Sequence, residues 1–409
     1  MIKKPELLAP AGNLEKLKVA IRYGADAVYL GGSKLNLRAF AHNFDNDQLR
    51  EGVKYAHDRG KKVYVTLNVI PHNGDFAGIE DYLKELYEIG VDAIIVADPG
   101  IIATAKEVVP DLELHLSTQA NAVNIRTVKF WHSMGIKRVV PAREMSMQEI
   151  KDLIKEIPDT CEVESFVHGA MCMAYSGRCI ISNYMTGRRS NSGACAQPCR
   201  YKYHLVEERR PGEYYEVKED ERGSYIMNSK DLCMIEHIPD LVEAGIDSFK
   251  IEGRMKSSYY VASVVKAYRE AIDTYFEDPE NYKFNEKWME YLLKPSHRRY
   301  TTGFYYNDQD RQYYESSSYL RNFDIVGIVK SYDKETKIVT VEQRNRLFAG
   351  DKVEILRPKG ECFEVTIEDM KNENGESIEV APNAQMIFTF KCDEELEEDY
   401  MLVKGKEEN

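Results

Sequence analysis

The chain has 409 residues, of which 43% are hydrophobic and 30% charged, and its net charge is −13. That length suffices for one large domain and a small one. Apolar stretches are short and broken by charges, which excludes a bilayer-spanning segment. The acidic balance argues against a generic nucleic-acid coat protein but leaves room for a local basic patch. The N-terminus runs straight into Leu7-Leu8-Ala9 with no apolar run and cleavage site, so no secretory signal and a cytoplasmic location are expected.

In chain order, one short pattern recurs: Gly24-Ala-Asp26, Gly90-Val-Asp92, Gly135-Ile-Lys137 and Gly245-Ile-Asp247, each followed by a β-rich apolar run. An amphipathic stretch precedes each glycine, which suits a left-handed helix C-cap. The pattern therefore reads as helix, tight turn and buried strand. Further strands are expected at 6–9, 62–67, 113–116 and 162–167. Eight strands alternating with helices predict a closed (β/α)8 barrel rather than an open doubly wound sheet.

Such barrels carry their chemistry on the loops after the strands. Here those ends offer Asn68, Ser117-Thr118-Gln119, Arg143-Glu144, His168-Gly169 and Glu252-Gly253-Arg254. Any one of them is more simply a solvated loop residue. Between Val167 and Asp247 lie roughly eighty residues, against about thirty in an ordinary βα unit. We place the barrel at 1–280 with an insertion at 169–246 that includes a hairpin-like stretch around 205–227, and a linker at 281–320. Alternating apolar and polar runs from Phe323 predict a small all-β barrel domain at 321–405.

Five of the eight cysteines fall in the insertion: Cys172, Cys179, Cys195, Cys199 and Cys233. In a reducing compartment such crowding suggests metal binding or thiol chemistry rather than disulfides. Zinc sites usually pair cysteines about two to four residues apart, twice over. Only Cys195 and Cys199 fit that habit, which tilts the metal towards an iron–sulfur cluster while zinc stays open. Cys161, Cys362 and Cys392 sit in strand-like runs as core residues. Zincin, nucleophile-elbow, Walker and dinucleotide motifs are all missing.

The run Glu164-Ser-Phe166-Val-His168-Gly169-Ala-Met-Cys172, continuing to Cys179, resembles the signature of the collagenase-like peptidase family of unknown catalytic type. Glu6-Leu-Leu-Ala-Pro10-Ala-Gly12, Ser117-Thr-Gln119, Cys195-Ala-Gln-Pro-Cys199, Ser229-Lys-Asp231-Leu-Cys233 and Lys250-Ile-Glu252-Gly-Arg254 extend the likeness along the chain. One branch of that family makes 5-hydroxyuridine at the tRNA wobble position from prephenate, without molecular oxygen. A second hydroxylates a 23S rRNA cytidine, and a third serves ubiquinone hydroxylation with a 4Fe-4S cluster on four cysteines.

The Gly-Arg-Met after the last strand and the C-terminal β domain resemble the tRNA branch most. The resemblance implies a 4Fe-4S cluster on Cys172, Cys179, Cys195 and Cys233, with Cys199 competing for the third seat. It also implies prephenate as hydroxyl donor and tRNA as partner, with a paralogous partner chain a further candidate and neither DNA nor membrane. Expected catalytic residues are Glu164, His168 and Glu252; expected substrate-binding residues are Arg143, Arg254, Gln119 and Asn68. Arg188, Arg189 and Arg200, near Tyr184 and Tyr201, suit RNA backbone and a stacked base. A peptidase, which needs a nucleophile or activated water, and an RNA-binding scaffold with a structural metal site are the competing readings.

Overall fold

The computed structural model describes residues 3–35, 43–171, 181–186, 188, 195–196, 198, 204–205, 215–216, 230–306 and 320–406. Eight parallel strands close into a barrel: β1 (Glu6–Pro10), β2 (Ala27–Leu30), β3 (Lys62–Leu67), β4 (Ala93–Val96), β5 (Glu113–Leu116), β6 (Arg138–Val139), β7 (Glu162–Ala170) and β8 (Ser248–Ile251). Pairing of β8 with both β7 and β1 completes the circle. All eight expected strands are present, and helices intervene as predicted.

The recurring glycine and aspartate divide two tasks. Gly24, Gly90, Gly135 and Gly245 take φ of 112°, 87°, 90° and 82°, where a Cβ would be strained. Two residues on, the aspartate accepts from the backbone of the neighbouring strand. Asp26 binds Leu7 N at 3.0 Å, Asp92 binds Val63 N at 2.7 Å, and Asp247 binds Val163 N at 3.0 Å. Each carboxylate thus clamps a strand pair at the N-terminal end of the barrel. In the third repeat Lys137 stands at that position and no such clamp forms.

The barrel interior is charged as well as apolar. Inward-facing Arg138 bonds Glu6 at 2.6 Å, Glu162 at 2.8 Å and Glu164 at 3.3 Å, and Lys250 bonds Glu164 at 2.6 Å. Tyr64 donates to Glu6 at 2.7 Å. Above this ionic layer pack Leu8, Tyr29 and Ile95.

Two features depart from the sequence reading. The stretch expected as a linker is docked on the barrel: helix Glu286–Leu293 buries Trp288 and Leu292, and Tyr300–Thr301 pairs with the short strand Asp231–Cys233. Its polar, Tyr-rich composition hides a few buried anchors, which is why it reads as a connector. The C-terminal domain is antiparallel as expected, but its seven-stranded sheet curls only into a half-barrel. The edge strands Phe363–Thr366 and Glu368–Asn372 do not pair with each other. The hairpin anticipated in the insertion is represented by antiparallel pairing of 204–205 with 215–216.

The domain sits on the barrel through shared core. Ile328, Leu356, Met401 and Val403 belong to the same buried cluster as the barrel helices. Tyr23 OH donates to Leu356 O at 2.9 Å, and Lys294 bonds Glu354 at 2.6 Å. Among the described residues no helix is long and apolar enough to cross a membrane.

Candidate active site at the barrel mouth

The C-terminal ends of β3, β5 and β8 bring one group of side chains together. Arg254, just past β8, is 4% exposed and reaches across the ends of β1 and β2 to donate from Nη1 to Thr66 Oγ1 at 3.2 Å. Its Nη2 donates to Asn43 Oδ1 at 3.1 Å. Asn68 spans β4 in the same way, its Nδ2 lying 3.4 Å from Ser117 Oγ. Gln119 follows in a short 3-10 turn capped by Ser117. Glu252 takes a hydrogen bond from Tyr29 OH at 3.0 Å.

Close backbone packing underlies the mouth. A Cβ on Gly12 would stand 2.2 Å from Arg254 O, and one on Gly169 would stand 2.4 Å from Glu252 O. Gly169 also has φ of 109°. The loops after β1, β7 and β8 can meet only because both positions lack a side chain.

Two acceptors in this group have no partner among the described residues: Asn68 Oδ1 and Gln119 Oε1 are buried and unbonded. Buried polar atoms are nearly always satisfied, so such exceptions concentrate where a ligand binds. Arg143 lies after β6, stacked 3.8 Å over the Phe166 ring and donating from Nη1 to Ala170 O at 2.7 Å. Its buried Nε is unpartnered. Neighbouring Glu144 has its carboxyl pushed up by burial.

The three residues expected to act in catalysis are separated. Glu252 stands at the mouth. Glu164 is fully buried among the ion pairs of the interior. Burial alone would raise its carboxyl, but the Lys250 ammonium and the Arg138 guanidinium outweigh burial and hold it below the ordinary range. A carboxylate locked between two cations suits a structural ion pair, not proton transfer.

His168 is turned outward by an irregularity in the β7–β8 register, where Lys250 pairs with Phe166 and Ile251 with His168. Strict alternation from Glu164 would have pointed it inward. Instead it packs 5.9 Å from Tyr260 and 5.6 Å from Tyr268 of helix Ser258–Glu277. Burial, with lesser repulsion from His297 and Lys256, lowers its pKa to about 3. A neutral imidazole wedged under a helix makes a packing residue.

Of the expected metal ligands, Cys172, Cys179 and the competing Cys199 lie outside the described residues. Cys195 is half-buried. Cys233 is buried on the strand antiparallel to β7, opposite His168. Burial pushes its thiol up to about 12, so it stays protonated unless a cation supplies the missing charge. Met171, the last described residue of the β7 exit, leads directly to Cys172. The Cys233 thiol lies against the Tyr268 hydroxyl. Among the described residues no three His, Cys, Asp or Glu side chains come together as a metal site.

Arg188 and Tyr184 are exposed, the latter 90%. Arg189, Arg200 and Tyr201 lie outside the described residues. Residues the sequence reading missed are Tyr29, Thr66, Arg138 and Lys250. Alternation along β3 would have found Thr66 two positions before Asn68, and the same rule links Lys250 to Glu252.

A charged barrel with a polar, glycine-lined mouth and a cysteine-bearing insertion defines a (β/α)8 protein of enzyme type. The chain belongs to peptidase family U32: the model of that family matches residues 12–315, and that of the family's C-terminal domain matches residues 321–402. It is 46% identical over 406 residues to tRNA hydroxylation protein P1 of Bacillus subtilis, covering 99% of this chain and 96% of that protein. It is 39% identical to tRNA hydroxylation protein P of Escherichia coli, covering 98% and 96%. The 23S rRNA 5-hydroxycytidine C2501 synthase of Escherichia coli is 38% identical, covering 67% of this chain and 40% of that one.

Proposed function

We propose that this protein is a tRNA-modifying enzyme that forms 5-hydroxyuridine at the wobble position, taking the hydroxyl group from prephenate rather than from molecular oxygen. The observation that carries the reading is the likeness along nearly the whole chain, both domains included, to proteins of tRNA hydroxylation. The shorter likeness to the rRNA enzyme supports hydroxylation of RNA more broadly and makes rRNA the second substrate to test.

Prephenate carries two carboxylates, which Arg254 and Arg143 would bind in this reading. A guanidinium pairs with a carboxylate in bidentate fashion, and burial strengthens the pair. Glu252, which accepts from Tyr29, is a carboxylate at the mouth that would move a proton. Thr66 and Asn43 fix the Arg254 fork, so its position is set before substrate arrives. In this reading Cys172, Cys179, Cys195 and Cys233 hold a 4Fe-4S cluster, with Cys199 the alternative third ligand. Bound there, the cluster would supply electron transfer or a Lewis-acidic site beside the mouth.

The protein would act in the cytoplasm with tRNA as its partner, and a paralogous chain is a candidate second partner. The test is deletion of the gene followed by mass spectrometry of tRNA nucleosides. Loss of wobble hydroxyuridine, restored by the wild-type gene, is expected; unchanged hydroxyuridine rejects the reading. The family's peptidase name is tested by incubating purified protein with gelatin. Cleavage that survives metal removal would favour it.

A further inference from the structure

We propose that Asn68 and Gln119 read the pyrimidine ring of the RNA substrate by accepting its imide N3–H, and so select uridine over cytidine. The proposal rests on the RNA-hydroxylation reading above and assigns one part of the mouth within it.

Charged and neutral groups share the mouth. Arg143 stands past β6, and the guanidinium of Arg254 reaches from β8 to Thr66 of β3. Neutral groups, Asn68, Ser117, Thr118 and Gln119, gather past the ends of β3 and β5. An anionic co-substrate belongs with the guanidinium groups. An uncharged heterocycle belongs with the neutral groups, where it leaves no charge unpaired.

Those neutral groups include two acceptors waiting for a donor. Gln119 is 7% exposed, and its Oε1 has no partner among the described residues. Asn68 Oδ1 is likewise buried and unbonded. Asn68 Nδ2 donates to Ser117 Oγ at 3.4 Å across β4, and its oxygen is the amide atom left without a protein partner. Ser117 Oγ also accepts from Gln119 N at 3.3 Å, so one hydroxyl holds both readers in place.

Chemistry on a base requires lifting it out of its stack into a pocket that reads its Watson–Crick edge. Uridine offers a donor at N3, and cytidine offers an acceptor. An acceptor in the protein satisfies the first and opposes the second. Removing an oxygen that has no protein partner breaks no bond of the fold, so Gln119→Met should fold as the wild type does, while Asn68→Leu also gives up the long Nδ2 contact with Ser117.

The test uses the full chain and synthetic anticodon stem–loops carrying uridine, cytidine or N3-methyluridine at the target position, with affinity read by fluorescence anisotropy. The wild type should bind the uridine form about tenfold tighter than either of the others, the worth of one buried hydrogen bond. Gln119→Met should bring uridine down to their level while leaving the cytidine form unchanged. Equal binding of all three by the wild type, or discrimination that survives in both variants, overturns the assignment alone. Variants that keep discrimination but need more prephenate give the amides to the co-substrate, and overturn it too. Failure of folded wild type to bind any stem–loop removes the RNA reading and this assignment with it.

Discussion

At the scale of single residues, the two glutamates of the barrel separate function from fold. Glu252→Gln should keep its contact with Tyr29, which can still donate to an amide oxygen, and should cost little stability, yet hydroxylation in cells should fall by an order of magnitude or more. Glu164→Gln should instead lower stability by about 3–5 kcal/mol, since it leaves Lys250 and Arg138 short of a buried counter-charge. Thermal denaturation beside a nucleoside assay distinguishes the two, and equal stability of both variants would refute the division. Sequence reading placed these glutamates together because each ends up near a strand terminus in a family-like motif. It had no way to see that one faces two cations.

His168 makes a pH prediction at the same scale. Its folded pKa of about 3 lies below the unfolded value of about 6.5. Between those values the unfolded chain binds the extra proton, so stability is complete above about pH 6.5 and is lost as pH falls towards 3. The loss attributable to this group is on the order of 4 kcal/mol. His168→Leu should flatten that part of the stability–pH curve relative to wild type in urea titrations; an unchanged slope would refute the assignment.

At the scale of elements, the strand pattern was legible because periodicity and the glycine–aspartate turns are local signals. The eight strands follow from them directly. The outward turn of His168 was not legible, because the register irregularity arises only when β7 and β8 pair across eighty-odd intervening residues. The docking of 286–306 was hidden for a related reason: its anchors Trp288, His297 and Tyr305 are few and scattered, and each is buried by parts of the chain distant in sequence. Tyr305 OH donates to Phe166 O at 2.6 Å, joining this segment to the mouth-forming strand. Tyr305→Phe should cost about 1–3 kcal/mol by leaving a buried carbonyl without its donor, measurable by chemical denaturation.

The cysteine constellation stands between element and molecule. Its crowding was visible in the sequence, and the structure adds that Cys233 is buried opposite the strand that leads to Cys172. Protein purified without oxygen should carry iron and sulfide with a broad visible absorbance, and Cys233→Ala should lose the metal while retaining its circular dichroism. Colourless wild-type protein containing zinc would reject the cluster.

For the whole molecule, the shared core means that the two domains are not independent. Ending the chain at 320 would strip Leu356, Met401 and Val403 from the barrel surface and leave Tyr23 without its carbonyl partner. The truncated barrel should aggregate or melt well below the full chain, as judged by gel filtration and thermal scans. A soluble, equally stable fragment would show that the contact is incidental.

The missing clamp in the third repeat has a consequence for how the barrel breathes. Three strand pairs are fastened by backbone-to-carboxylate bonds, but β6 has only two residues and adds the ion pairs of Arg138 to its short backbone pairing with β5 and β7. The side-chain part of that attachment depends on acids being ionised. Glu162 and Glu164 are both held below the ordinary carboxyl range, their burial offset by Arg138 at Glu162 and by Lys250 with Arg138 at Glu164, so the grip is complete at neutral pH and fails as acid protonates them. Amide protons of β6 should then exchange with deuterium before those of β2, β4 and β8 as pH is lowered. The wall of the barrel would part first on the side that carries Arg143, so the site would lose one of its two cationic walls before the molecule as a whole unfolds.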